Sequence, residues 1–168
     1  MVSAQKPPIR NFMCTSGKCK EGYGVQEHPT GFKYEGQFVD GVRSGLGVET
    51  MPGNVRYAGN FVDGSPTGFG VMLFPDGRHF AGEWKSEFPH GCGLSVEVTR
   101  PDDEMKMVLK HTGRWKEGEI VDPEADCHAE VNKAHEAAKA AIAQVPDSVP
   151  YEYTPEEPRK PRSTEEVS

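Results

Sequence analysis

A 23-residue period governs the middle of this 168-residue chain, and a unit of that length cannot bury an apolar face alone, so each copy has to stack on the next. Tyr34-Glu35-Gly36-Gln37-Phe38, followed by Gly41, Gly45 and Gly47, recurs as Tyr57-Ala58-Gly59-Asn60-Phe61 with Gly64, Gly68 and Gly70. A third copy reads Phe80-Ala81-Gly82-Glu83-Trp84 with Gly91 and Gly93, and Glu87 replaces the glycine of its first turn. One period upstream only Gly22-Tyr23-Gly24 is recognisable, so residues 17–31 are expected to be a partial repeat whose first strand is degenerate or absent. His111-Thr112-Gly113-Arg114-Trp115, with Gly118, begins 31 residues after Phe80. That spacing places an eight-residue insertion near Thr99 to Lys106, with Pro101-Asp102-Asp103-Glu104 as a solvent-facing loop, and leaves a terminal half-repeat over 111–118.

Turn chemistry repeats with the same period. Pro29-Thr30-Gly31, Pro52-Gly53-Asn54 and Pro75-Asp76-Gly77 fall at equal offsets, each with residues that tolerate tight-turn dihedrals. Two turns per period imply one hairpin per repeat. Counted from the first aromatic, even offsets carry an aromatic, a glycine and an aromatic, then Leu46, Val48 and Thr50; later copies give Phe69, Val71, Leu73 and Cys92, Leu94, Val96. Because side chains alternate along a strand, this pattern predicts one apolar, aromatic sheet face and one polar or bare face. Gly36, Gly59, Gly82 and Gly113 sit between the paired aromatics, where a missing side chain lets rings tilt into a ladder. The expected fold is mostly β: a single-layer antiparallel sheet, or solenoid, of hairpins over residues 13–118, capped by one C-terminal helix and flanked by disordered tails.

Most of the 19 glycines fall at these repeat and turn positions. The net charge of −7 argues against binding a nucleic-acid backbone. There is no apolar run long enough to span a bilayer. The segment Met1 to Arg10 has no signal-like apolar stretch, so a cytoplasmic address is expected and Cys14, Cys19, Cys92 and Cys127 are expected to be free thiols without disulfides.

Asp122-Pro123-Glu124 carries helix-start chemistry. A helix is therefore expected over 122–145, ended by Pro146, with Cys127, Val131, Ala134, Ala138, Ala141 and Val145 on one narrow apolar stripe. Such a helix either caps the last hairpin or binds a partner. Residues 146–168, with five prolines and mixed charge, are expected to be disordered, as are residues 1–12.

Catalytic chemistry is not expected, nor a metal or cofactor. His28, His79, His90, His111, His128 and His135 are scattered without a nucleophile in a suitable turn. Cys14 and Cys19 with His28 lack zinc-module spacing and a fourth ligand. His128 and His135 are read as lying on a solvated helix face.

The run Tyr57 to Val71 and the motif Phe80-Ala81-Gly82-Glu83-Trp84 resemble the MORN repeat (membrane occupation and recognition nexus), over about residues 17–118. The terminal half-hairpin followed by Cys127-His128-Ala129-Glu130-Val131 and an Ala-rich helix is most similar to the small retinophilin-type members. That resemblance implies a non-catalytic adaptor that binds the tail of a class III unconventional myosin in the groove of its sheet and travels with it on actin. The partner-binding candidates are Tyr34, Phe38, Tyr57, Phe61, Phe69, Leu73, Phe80, Trp84 and Trp115, with Tyr57, Phe61, Phe80 and Trp84 as anchors above a floor of Phe69 and Leu73. Whether these rings are core or groove is open at this level.

Two other roles compete with the adaptor. A peripheral module for anionic or phosphoinositide lipid is disfavoured by the −4 charge of residues 34–97, although Lys6, Arg10, Lys18 and Lys20 could make weak membrane contact. A structural component of a cilium is the other. The expected location is accordingly cytoplasmic, at cytoskeleton-based cell projections or a cilium.

Overall fold

The computed structural model describes Lys6, Pro8 and residues 11–99 and 107–146. Among the described residues ten strands follow one another in chain order: β1 (Met13–Gly17), β2 (Gly22–Glu27), β3 (Lys33–Val39), β4 (Val42–Met51), β5 (Val55–Val62), β6 (Ser65–Leu73), β7 (His79–Lys85), β8 (Phe88–Thr99), β9 (Met107–Lys116) and β10 (Glu119–Asp122). Each pairs antiparallel with its sequence neighbour, giving one open sheet ordered β1 to β10. A helix, α1 (His128–Ile142), follows. The mostly β, single-sheet architecture with a C-terminal helix is the one the repeat implies.

Three boundaries differ from expectation. The partial repeat does have a first strand: β1 pairs with β2 through Met13 and Glu27, although all five of its residues are exposed. The last unit is a full hairpin, since β10 runs to Asp122 and pairs with β9. The helix starts at His128 instead of near Asp122. Asp122 Oδ1 accepts the Glu124 N–H at 3.2 Å, and Asp126 Oδ1 accepts the His128 N–H at 3.2 Å. The acidic residues read as a helix start thus shape turns before it. The loop at 101–104 and the tail from 147 lie outside the described residues.

The facing of side chains differs more deeply. Asp40-Gly41, Asp63-Gly64, Ser86-Glu87 and Glu117-Gly118 all have positive φ at both central residues, the requirement of a two-residue type I′ turn. Such a turn pairs Val39 with Val42, so an even-numbered residue on one strand faces an odd-numbered one on the next. Tyr34 therefore sits opposite Glu49, and Val48 opposite Glu35. The aliphatic residues of the second strand of each repeat lie on the face opposite the aromatics. The expected single apolar face is in fact two, each carrying its own cluster.

A β-bulge in every repeat preserves this arrangement. The register shifts between Gly36 and Phe38, between Gly59 and Phe61, and between Gly82 and Trp84. The backbone donors freed there are taken by the side chain at one repeat position: Gln37 accepts from Leu46 N–H at 3.0 Å, Asn60 from Phe69 at 3.2 Å, and Glu83 from Cys92 at 2.6 Å.

Helix α1 lies across β4 to β8 on the aliphatic face. Val48, Ala58, Val71, Ala81, Leu94 and Val96 from the sheet form one cluster with Val131, Ala134, Ala138, Ala141, Ile142 and Val145. The apolar stripe read from the sequence is all buried, including Cys127. Small alanines let the helix approach the sheet closely, and His135, expected in solvent, is fully buried beside them. Contrary to the expectation of free thiols, Cys14 is disulfide-bonded to Cys19 and Cys92 to Cys127. The second bond ties the residue before α1 to β8 across 35 positions. Docking of the helix creates this proximity, so it has no local sequence signature.

Candidate interaction surface

The other face carries the aromatic ladder. Tyr34, Phe38, Tyr57, Phe61, Phe80 and Trp84 form one cluster, with Cys19, Met51, Met72 and Trp115 packed at its margins. The rings run Phe38, Tyr34, Phe61, Tyr57, Trp84, Phe80, Trp115, each edge-to-face with the next at centroid distances from 4.9 to 5.3 Å. This is the geometry that opposed ring edges and faces favour.

Glycine makes the ladder possible. Gly36 pairs with Gly47, Gly59 with Gly70, and Gly82 with Gly93. The ring of Tyr34 lies against Gly47, that of Tyr57 against Gly70 and that of Phe80 against Gly93, in space any Cβ would occupy. Polar atoms of the ladder are satisfied by backbone. Tyr34 Oη donates to Gln37 O at 2.9 Å and Tyr57 Oη to Asn60 O at 3.0 Å. Trp84 Nε1 donates to Gly70 O at 3.1 Å, and Trp115 Nε1 to Gly93 O at 3.2 Å. Burial pushes the Tyr34 and Tyr57 phenols well above their ordinary range.

Of the nine residues proposed from sequence, seven are therefore brought together in one ladder. Six are buried, from Tyr34 at 0 % exposure to Phe80 at 7 %, and Trp115 is half-buried at the ladder's end. Phe69 and Leu73 are not its floor. They pack against the aliphatic cluster under α1, because the two-residue turns reverse the parity that grouped them with the rings.

A polar cluster unforeseen from sequence adjoins the ladder. Arg43 is 1 % exposed. Its Nη1 donates to Glu49 Oε1 at 2.8 Å and its Nε to Gln26 Oε1 at 3.2 Å. Its guanidinium carbon lies 4.2 Å from the Phe12 ring centroid and 4.8 Å from that of Tyr34, which is cation–π range. Burial lowers the Arg43 pKa while Glu49 opposes the shift. Lys6 Nζ reaches Glu49 Oε1 at 3.0 Å and Glu87 Oε1 at 2.9 Å. Lys6 and Phe12, both inside the segment expected to be flexible, are thus held on this face.

The signal that could have found this cluster is departure from the period. Arg43 occupies the position of Pro66 and Pro89, and Glu49 that of Met72 and Ser95. Among the described residues, no group of three His, Cys, Asp or Glu side chains could hold a metal ion, and no helix is long and apolar enough to cross a membrane.

An open antiparallel sheet of glycine-paired hairpins with a stacked aromatic ladder defines a β-hairpin repeat protein. The MORN repeat model matches residues 34–55, 57–77 and 80–95, so the three full copies are MORN repeats. These repeats generally mediate interactions with proteins or membranes and are not enzymatic. No curated protein matches the chain.

Proposed function

We propose that the protein is a non-catalytic adaptor that docks a partner segment on the aromatic face of its sheet, and that the segment belongs to the tail of a class III unconventional myosin or another cytoskeletal protein. The observation that carries this reading is the unequal covering of the two faces. The aliphatic face is closed by α1, whereas no described helix or strand packs on the aromatic one. There the half-buried Met51, Met72 and Trp115 border the ladder, offering the adaptable sulfur and aromatic surface that partner segments favour. The likeness of the C-terminal sequence to retinophilin-type members points the same way. Helix α1 acts as the cap of the aliphatic face in this reading.

The proposal includes a cytoplasmic location, at cytoskeleton-based projections or a cilium. In that compartment the paired cysteines would be held as thiols. A lipid role has less support, since Lys6 is paired and residues 34–97 are net acidic.

The test is direct binding of a purified class III myosin tail to the full chain and to a Met51→Glu, Met72→Glu variant whose circular dichroism matches the parent. Binding by the parent, lost in the folded variant, supports the reading. No binding by the parent, or equal binding by both, overturns it.

A further inference from the structure

Three charged residues interrupt the repeat, and all three converge on one short N-terminal stretch. Arg43 replaces the proline of the later copies, Glu49 replaces Met72 and Ser95, and Glu87 replaces Gly41 and Gly64. The ladder does not need them, because neighbouring copies build the same ring contacts with apolar or small residues at these positions. What they share is Lys6 and Phe12. Lys6 Nζ bridges the carboxylates of Glu49 and Glu87, at 3.0 and 2.9 Å, and so links β4 to the β7–β8 turn. The Phe12 ring covers the Arg43 guanidinium and is itself 9 % exposed.

Glu87 is the most telling of the three. It takes a φ of +76°, where the turns at 41, 64 and 118 use glycine, so the chain accepts a strained backbone at the residue whose side chain meets Lys6. The fit is also incomplete. Arg43 Nη2 is buried without a hydrogen-bond partner among the described residues, a donor that a peptide carbonyl could satisfy.

We propose that Lys6 and Phe12 act as an intramolecular ligand of the aromatic face, and that the external partner is a peptide of the same chemistry. That peptide carries a basic side chain for the Glu49–Glu87 carboxylate pair and, about six residues away, an aromatic ring for Arg43, and it binds by displacing the chain's own segment. The inference rests on the aromatic face being the docking surface and names what that surface selects. Charge complementarity selects the occupant: Glu49, which also pairs with Arg43, and Glu87 leave one net negative charge facing the ammonium group, which disfavours an acidic segment.

The probe is a fluorescein-labelled peptide of residues 2–13, titrated by anisotropy into the full chain and into its Lys6→Glu and Lys6→Ala variants. Lys6→Glu sets a third carboxylate beside Glu49 and Glu87 and expels the internal segment. It is expected to bind the peptide about tenfold more tightly than the parent, with Lys6→Ala between them. A labelled peptide that itself carries Lys6→Glu is expected not to bind. Cooperative thermal unfolding of each variant is the check that it is folded. Equal affinity of parent and both variants, no binding by any, or binding of the acidic peptide as tightly as the basic one overturns the inference. If in that case the parent still binds the myosin tail through Met51 and Met72, only the internal ligand is removed. If tail binding fails as well, the docking reading fails with it.

Discussion

His135 should make the attachment of α1 sensitive to acid. The side chain is fully buried between helix and sheet, its ring centroid 6.4 Å from that of His79. Burial, with smaller contributions from His79 and Lys139, pushes its pKa from 6.5 down to about 3. His79 is also lowered, by burial first and by Lys110 in part. The positive charges of Lys139 and Lys110 add to the lowering of the pair. A histidine whose folded pKa is depressed binds fewer protons folded than unfolded. Its contribution to stability is therefore complete above the unfolded pKa and is lost as pH falls below about 6.5 towards 3. With those two values the loss between about pH 7.5 and pH 5 is about 2 kcal/mol for His135 alone. Urea unfolding followed by circular dichroism at the two pH values measures it, beside a His135→Leu variant. The parent should lose about 2 kcal/mol more than the variant over that interval. Parallel pH profiles for the two proteins would refute the assignment.

The ladder rings should behave as core. Phe61→Ala is expected to cost about 3–5 kcal/mol, read from its urea midpoint, and a cost below about 1 kcal/mol would contradict the packing described. Replacing Glu87 with glycine relieves a left-handed backbone worth about 1–2 kcal/mol and forfeits a part-exposed ion pair worth about 0–1 kcal/mol. The variant should thus unfold at a slightly higher urea concentration, and a clear decrease would show that the Lys6 contact outweighs the strain. When oxidised, the Cys92–Cys127 bond closes a loop of 35 residues, for which chain entropy gives about 4 kcal/mol. A Cys92→Ser, Cys127→Ser variant should lose a stabilisation of that order relative to the oxidised parent, and an unchanged midpoint would show that α1 docks without the bond.

Much of the fold was legible because the period was. Gly36, Gly47 and their equivalents recur at fixed offsets, and paired aromatics around a bare position admit few arrangements other than rings lying on glycine. The stripe of Cys127, Val131, Ala134, Ala138, Ala141 and Val145 likewise gave the buried side of α1. What failed was long-range or depended on a single turn residue. Grouping Phe69 and Leu73 with the rings carried parity across a loop whose two-residue length reverses it. The helix start was displaced because Asp122 and Asp126 serve turns as readily as caps. His135 looked solvated because its neighbour His79 is distant in sequence and meets it only once helix and sheet dock. The Cys92–Cys127 disulfide, and the convergence of Lys6 with Glu49 and Glu87, are likewise products of the assembled fold. The charged breaks in the repeat were visible in the sequence, but their common destination was not.

The most direct test of docking on the aromatic face uses methionine methyl groups as reporters. Met51 and Met72 border the ladder, while Met13 lies in the exposed β1 edge strand. Methyl-labelled full chain titrated with a purified class III myosin tail should show saturable shifts of the Met51 and Met72 signals, with Met13 little changed. Saturable binding that leaves Met51 and Met72 unmoved would place the partner elsewhere and contradict the proposed surface.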